Sequence, residues 1–213
     1  MTDLTPNPPS QINIRYPSLY QTSSASATQE EAPAWQPPPL EFLERTWTVT
    51  HSTLPMWRKA KNVRITYKII PGNGTGTGTG PVLLDDVVES VPTARTFLPQ
   101  PRMIKGVDTP DEKVPAAWNW MGRGWLRITS SHWEVLGWGE RDGEGDGGKE
   151  RWVVTWFAPS LFTPAGVDVY SDRRGGGSHA LVEELLRRLE GLGCREVSEV
   201  CRGEMRKVVV DDA

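Results

Sequence analysis

The chain has 213 residues and a formal net charge of −3, from 24 Lys and Arg against 27 Asp and Glu. That length suits one domain with a substantial core. The slightly acidic balance excludes a nucleic-acid binder, which needs a basic stripe, and disfavours contact with anionic membranes. No apolar run reaches the length of a membrane span. The two cysteines, Cys194 and Cys201, lack the spacing of a zinc or redox motif. With no apolar leader pattern near Met1, they read as two separate thiols of a cytoplasmic protein.

Residues 1–40 read as a disordered tail. PNPPS, SSASATQEE and WQPPP are rich in Pro, Ser, Gln and Glu and poor in core-forming residues. The domain, residues 41–213, opens at Glu41. Arg45 to His51 is expected as a strand with Trp47, Val49 and His51 on one face. Ser52 to Lys61 is a loop. Asn62 to Ile70 alternates Val63, Ile65, Tyr67 and Ile69 with Arg64, Thr66 and Lys68, the pattern of a half-buried strand. The Gly-rich stretch Pro71 to Pro81 lacks the Lys-Ser/Thr ending and following helix of a phosphate loop, so it is a connection. Val82 to Ser90 is a strand carrying Asp85 and Asp86, of which one faces inward. Thr93 to Val107 is another, broken by Pro99 and Pro101. A turn-rich loop, Asp108 to Pro115, follows.

From Ala117 to Ser171 the chain carries Trp118, Trp120, Trp125, Trp133, Trp138, Trp152 and Trp156 in short alternating runs broken by Gly, Ser and Pro. That is the pattern of a β-meander. The expected strands are Ala117–Met121, Trp125–Thr129, His132–Glu140, Arg151–Phe157 and Gly166–Ser171, with turns at Gly122–Gly124 and Ser130–Ser131. Gly143 to Lys149 matches G-x-x-x-x-G-K, but Glu150 and a strand follow it, so it is no nucleotide site. Ser178 caps a helix to about Leu192, with Leu181, Val182, Leu185, Leu186, Leu189 and Leu192 on one face. Glu183–Arg187 and Glu184–Arg188 are i,i+4 pairs on the other. A short strand is expected in Glu204 to Val210. The whole is all-β, a closed antiparallel barrel of eight to ten strands with one C-terminal amphipathic helix. Such a barrel is just wide enough to hold a small ligand.

The opening Phe42-x-x-x-x-Trp47-x-Val49 resembles the first-strand signature of lipocalins and other calycins. The family places a Trp at one barrel end with an Arg stacked on it. The resemblance therefore implies a structural pair of Trp47 with Arg173 or Arg174. Glu41 to Val210 is also similar to a group of fungal calycin-like proteins of unassigned role, through Lys105–Pro110, Gly122–Leu126 and Leu161–Asp168. The Gly that the family carries just ahead of the Trp is replaced by Arg45 and Thr46, and the usual disulfide is missing.

Two functions compete. The first is binding of a small hydrophobic or aromatic molecule in the interior, by His51, Tyr67, Trp118, Trp120, Trp133 and Trp156. The second is a cofactor-independent cyclase or isomerase acting on a polyketide or terpenoid in the same pocket. It would need a titratable group there, for which the candidates are His51, His132, Glu134 and Asp86. His132 and Glu134 share a strand face with Trp138, so the carboxylate can orient the imidazole. Arg127 is an inward charge on the alternative to a solvated position. A filled barrel serving as an interaction module is the third reading. No metal and no cofactor are expected, because HxH, HExxH and GxSxG are all absent. The sequence is silent on oligomeric state.

Overall fold

The computed structural model describes residues 11–21, 34–71, 80–94, 100–124, 129–143, 148–160 and 163–211. Eight strands form an up-and-down antiparallel ring, each paired with the next in sequence: β1 (Thr46–Ser52), β2 (Ala60–Ile70), β3 (Leu83–Pro92), β4 (Arg102–Pro110), β5 (Ala117–Gly122), β6 (Ser130–Asp142), β7 (Lys149–Phe157) and β8 (Gly166–Ser171). β1 pairs with both β2 and β8 and closes the barrel. A two-residue strand, β9 (Arg206–Lys207), adds to β1 outside the ring. This is the closed antiparallel, all-β architecture that the alternation implied; closure removes every edge from the ring.

The interior is aromatic. Trp47, Tyr67, Trp118, Trp133, Trp138 and Tyr170 belong to one buried cluster with the inward valines and leucines. One end is shut by a single-turn helix, α1 (Leu40–Leu43). Its Phe42 and Leu43 are buried, and Phe42 packs edge-on to Trp138 at 4.7 Å. The other end is bordered by a 3-10 turn at Pro55–Lys59.

A second core lies outside the ring. There Trp152, Val154, Trp156, Val167 and Val169 turn outward and meet α2 (His179–Glu190), through Leu181, Leu185 and Leu189, and α3 (Arg195–Glu204), through Val197 and Cys201. Ser178 caps α2, accepting from the Leu181 amide, and is itself fixed by Glu150, which accepts from its backbone N–H at 2.9 Å and its hydroxyl at 2.6 Å. Glu184 and Arg188 form the expected pair at 3.6 Å, while Glu183 pairs with His179. Both cysteines are free and buried, and burial pushes the Cys201 thiol up to about 12. Among the described residues no helix is long and apolar enough to cross a membrane.

Several expectations need correction. Ser130 and Ser131 are not a turn: they open β6 and pair with Met121 and Trp120. The strand expected at Trp125–Thr129 falls on residues 125–128, outside the described residues, as does Arg127. The helix α3 was missed. Residues 11–21, assigned to the tail, lie against the barrel: Ile14 is buried and bridges Gly137 of β6. A Cβ at Gly137 would be tight there, 3.0 Å from the Asn13 carbonyl.

Two β-bulges reset which side chains point in. On β1, Val49 pairs with Tyr170 but His51 pairs with Val169, leaving Thr50 as an extra residue. Directly paired residues share a face, and Val169 faces the outer core. His51 therefore points outward, although simple alternation puts it beside Trp47 and Val49. On β6, Val135 pairs with Thr155 but Gly137 pairs with Val154, leaving Leu136 extra. This bulge turns both Trp133 and Trp138 inward, whereas even alternation gives them opposite faces. It also separates Trp138 from His132 and Glu134, which stay outside.

Candidate functional site

The barrel holds a cavity of about 250 Å³ near the end bordered by Pro55–Lys59, with Trp57, Tyr67, Trp120, Trp133 and Phe157 among its walls. Trp133 is the middle of a three-ring stack. Tyr67 lies on one side with centroids 5.4 Å apart, and Trp118 on the other at 4.5 Å. Trp120 reaches the cavity because Gly106 of β4 has no side chain. A Cβ there would sit 2.1 Å from the indole nitrogen.

Into this apolar interior the sheet projects three carboxyls: Asp86 from β3, Asp108 from β4 and Asp168 from β8. All are buried, and Asp86 and Asp168 line the cavity. Each is served by an indole N–H. Trp133 donates to Asp108 Oδ1 at 2.8 Å, Trp57 donates to Asp168 Oδ2 at 3.2 Å, and Trp120 hydrogen-bonds Asp86. Asp168 also accepts from the Ser52 hydroxyl at 2.5 Å, so both its oxygens are occupied. Asp86 Oδ1 and Asp108 Oδ2 are buried with no hydrogen-bond partner. No Lys, Arg or His is among the described residues lining the cavity.

Desolvation dominates the electrostatics of this group. Burial pushes Asp168 up to about 7, against the bonds from Ser52 and Trp57. It pushes Asp108 up to about 7 against the bond from Trp133. Asp86 rises well above the ordinary carboxyl value through burial, then through the charges of Asp108 and Asp85, against the bond from Trp120. Tyr67 and Tyr170 are likewise raised by burial.

The site differs from the expected one residue by residue. Tyr67, Trp120 and Trp133 line the cavity. Trp118 does not: it backs Trp133 and faces a groove at the opposite end, with Leu40 and Pro110. Trp156 lies on the outer face, edge-on to Tyr20 at 5.8 Å. His51 is outside the ring, and burial, then Lys207, lowers it to about 4. His132 and Glu134 do lie together, Nε2 to Oε1 3.7 Å, but on the outer face. His132 Nδ1 sits 3.0 Å from Asn119 Oδ1, and the Glu134 carboxylate is occupied by residues 15 and 18. Trp47 is fully buried at the shut end, donating to the Leu43 carbonyl at 3.0 Å. The guanidinium over its ring, 5.5 Å from the centroid, is that of Arg45. Arg173 instead lies 3.8 Å from Glu150 and donates to the Gly148 carbonyl. Among the described residues no cluster of His, Cys, Asp and Glu could hold a metal ion.

Sequence reasoning missed Asp108 and Asp168. The signal for Asp168 was present: in Val167-Asp168-Val169-Tyr170 it shares parity with the inward tyrosine. Asp108 was read as the start of a loop, although β4 continues to Pro110.

No protein-family model and no curated protein matches the chain. Among solved structures it is similar to lobster apocrustacyanin A1, at 12% identity and a TM-score of 0.49, covering 96% of this chain and 93% of that one. Apocrustacyanin C1 is similar at 12% identity and 0.49, covering 96% and 94%. The siderocalin Ex-FABP is similar at 11% identity and 0.41, covering 81% and 96%. At these values the neighbours do not speak to what the cavity holds.

Proposed function

We propose that the chain binds a small aromatic or hydrophobic molecule inside the barrel. The observation that carries this reading is the cavity itself, walled by Trp57, Tyr67, Trp120, Trp133 and Phe157. Aromatic walls with a few placed polar groups are the ordinary make-up of a ligand site. A packed interaction module would fill this space with side chains. The two buried free thiols fit a cytoplasmic setting, where they stay reduced. The test is tryptophan fluorescence during titration with a panel of hydrophobic and aromatic compounds. Saturable quenching, lost in a Trp120→Ala variant that still folds, supports the reading. No quenching and no thermal shift with any compound would overturn it.

A second reading rests on Asp168. A cavity-lining carboxyl pushed to about 7 is placed to give or take a proton near neutrality. In a cofactor-independent cyclase or isomerase it would take the part expected of His51, His132 or Glu134. Turnover of a bound polyketide- or terpenoid-like compound, abolished in Asp168→Asn with binding retained, would establish it.

A further inference from the structure

The charged groups of the interior bear on what it could hold. An apolar barrel for neutral hydrophobic molecules has no use for buried carboxyls, because each unpaired one is costly to hold away from water. Here three are buried, and no cationic side chain faces the cavity among the described residues. Two of their oxygens, Asp86 Oδ1 and Asp108 Oδ2, have no partner. Asp86 is 7% exposed and lines the cavity, so its free oxygen is an acceptor awaiting a donor from within.

We propose that the occupant is a small organic cation, an ammonium or amidinium with an aromatic or apolar body, whose N–H groups are taken by Asp86 and whose body rests on Trp120, Trp133 and Tyr67. This rests on the ligand-binding reading above. The geometry supports it twice over. The indole that serves Asp86, that of Trp120, is also a wall of the cavity, and ring faces attract cations. Asp108 stands behind Asp86 and adds charge of the same sign. A carboxylate ligand, a fatty acid included, would find no cationic side chain to offset its charge among the described lining residues.

Proton accounting gives a signature. Asp86 faces Asp108 on β4, Tyr67 on β2 and Tyr170 on β8, with Asp85 beside it and Asp168 next to Tyr170. Asp85 is paired outside with Arg123 at 2.9 Å. With no cation near it, burial and the charges of Asp108 and Asp85 favour the protonated form of Asp86. An entering ammonium favours the ionised form, so binding is linked to proton release and tightens as pH rises.

The experiment is calorimetric titration of the full chain with three probes of one shape: phenethylamine, 2-phenylethanol and phenylacetate. At about pH 8 the amine binds at least about ten-fold tighter than the alcohol, the worth of one charge-assisted contact. Phenylacetate binds weakest. The amine's advantage narrows at about pH 6, and buffers of different ionisation heat report proton release. Asp86→Asn abolishes the preference and leaves the alcohol's affinity in place. Glu89→Gln, which removes an exposed carboxylate from the same strand away from the cavity, retains the preference and controls for the lost charge, while the alcohol's unchanged affinity shows that Asp86→Asn still folds. If the alcohol or the acid matches the amine at about pH 8, the cation inference fails while the ligand-binding reading stands. If compounds of the hydrophobic panel bind but the amine does not, it fails in the same way. If nothing binds, both fail.

Discussion

Arg15 and Glu134, 119 positions apart in the chain, meet at 3.2 Å on the outer face of β6. The contact follows from the bulge at Leu136. An extra residue frees carbonyls from the ladder, and Arg15 takes them: its backbone N–H donates to Leu136 and its Nε to Val135, both at 2.9 Å. Glu134 then accepts from the Ser18 backbone at 3.0 Å and the Ser18 hydroxyl at 2.7 Å. Trp35 lies under the guanidinium at 4.2 Å.

Arg15→Ala should therefore release residues 11–21 and cost about 2–4 kcal/mol, since it strands a buried carboxylate. Urea denaturation gives the energy, and amide exchange at residues 14–18 reports the release. Glu134→Gln should cost less, because the amide still accepts from Ser18. Equal protection of these amides in Arg15→Ala and the parent would refute the account.

The interior carboxyls predict stability that falls with rising pH. An unfolded Asp titrates near ~3.9, whereas Asp108 and Asp168 titrate at about 7 in the fold. Below about pH 4 both states hold the protons and no cost arises. Between about pH 4 and 7 the unfolded chain sheds protons that the fold keeps, so stability declines. Above about pH 7 the loss is complete, roughly 4 kcal/mol per carboxyl. Glu134 acts in the opposite sense. Burial raises it, but the bonds from His132 and Ser18 and the charge of Arg15 bring it below its ordinary value. Its contribution is present above about pH 4 and is lost on acidification. Asp108→Asn should be more stable than the parent at about pH 8 by roughly 1–3 kcal/mol and no more stable at about pH 4. Parent melting temperatures that do not fall from pH 5 to pH 8 would contradict this.

Gly106→Ala should displace Trp120. Its new Cβ would lie 2.1 Å from the indole nitrogen and 2.3 Å from the adjoining ring carbon. Overpacking of this kind costs about 1–3 kcal/mol, and it should also weaken ligand quenching. Gly175→Ala, where nothing lies within 4 Å, is the neutral control. Comparable stability of the two variants would show that Trp120 does not lie where described.

His51→Ala and His132→Ala should leave ligand affinity unchanged, because both imidazoles stand outside the ring. Loss of quenching in His51→Ala would mean that the bulge at Thr50 does not turn this side chain outward.

The alternation of Val63, Ile65 and Tyr67, the tryptophan runs and the Ser178 cap made the barrel and α2 legible in the sequence. Side-chain direction beyond a bulge was not. One unpaired residue exchanges the two faces, and nothing in the residue types at Thr50 or Leu136 marks it. That single effect misplaced His51 and joined Trp138 to His132 and Glu134. Trp156 was misassigned for another reason. Its wall is buried on both faces, so an outward tryptophan looks like an inward one. The helix α3 was overlooked because its apolar residues are few, Val197, Val200 and Cys201, with the small Ser198 beside them.

The outer core also makes the barrel wall uneven. β7 and β8 are buried on both faces by α2, α3 and residues 11–21. The outer faces of β3 to β5 carry exposed Glu89, Met103, Lys105 and Met121. Covered backbone opens only with the whole domain, whereas thinly covered strands open locally at lower cost. An amide on β7 thus reports global unfolding, and one on β4 reports the breathing of the compliant wall. A molecule seated against Asp86 would quiet that breathing, so occupancy slows exchange at β4 through the local opening and at β7 only by the gain in global stability.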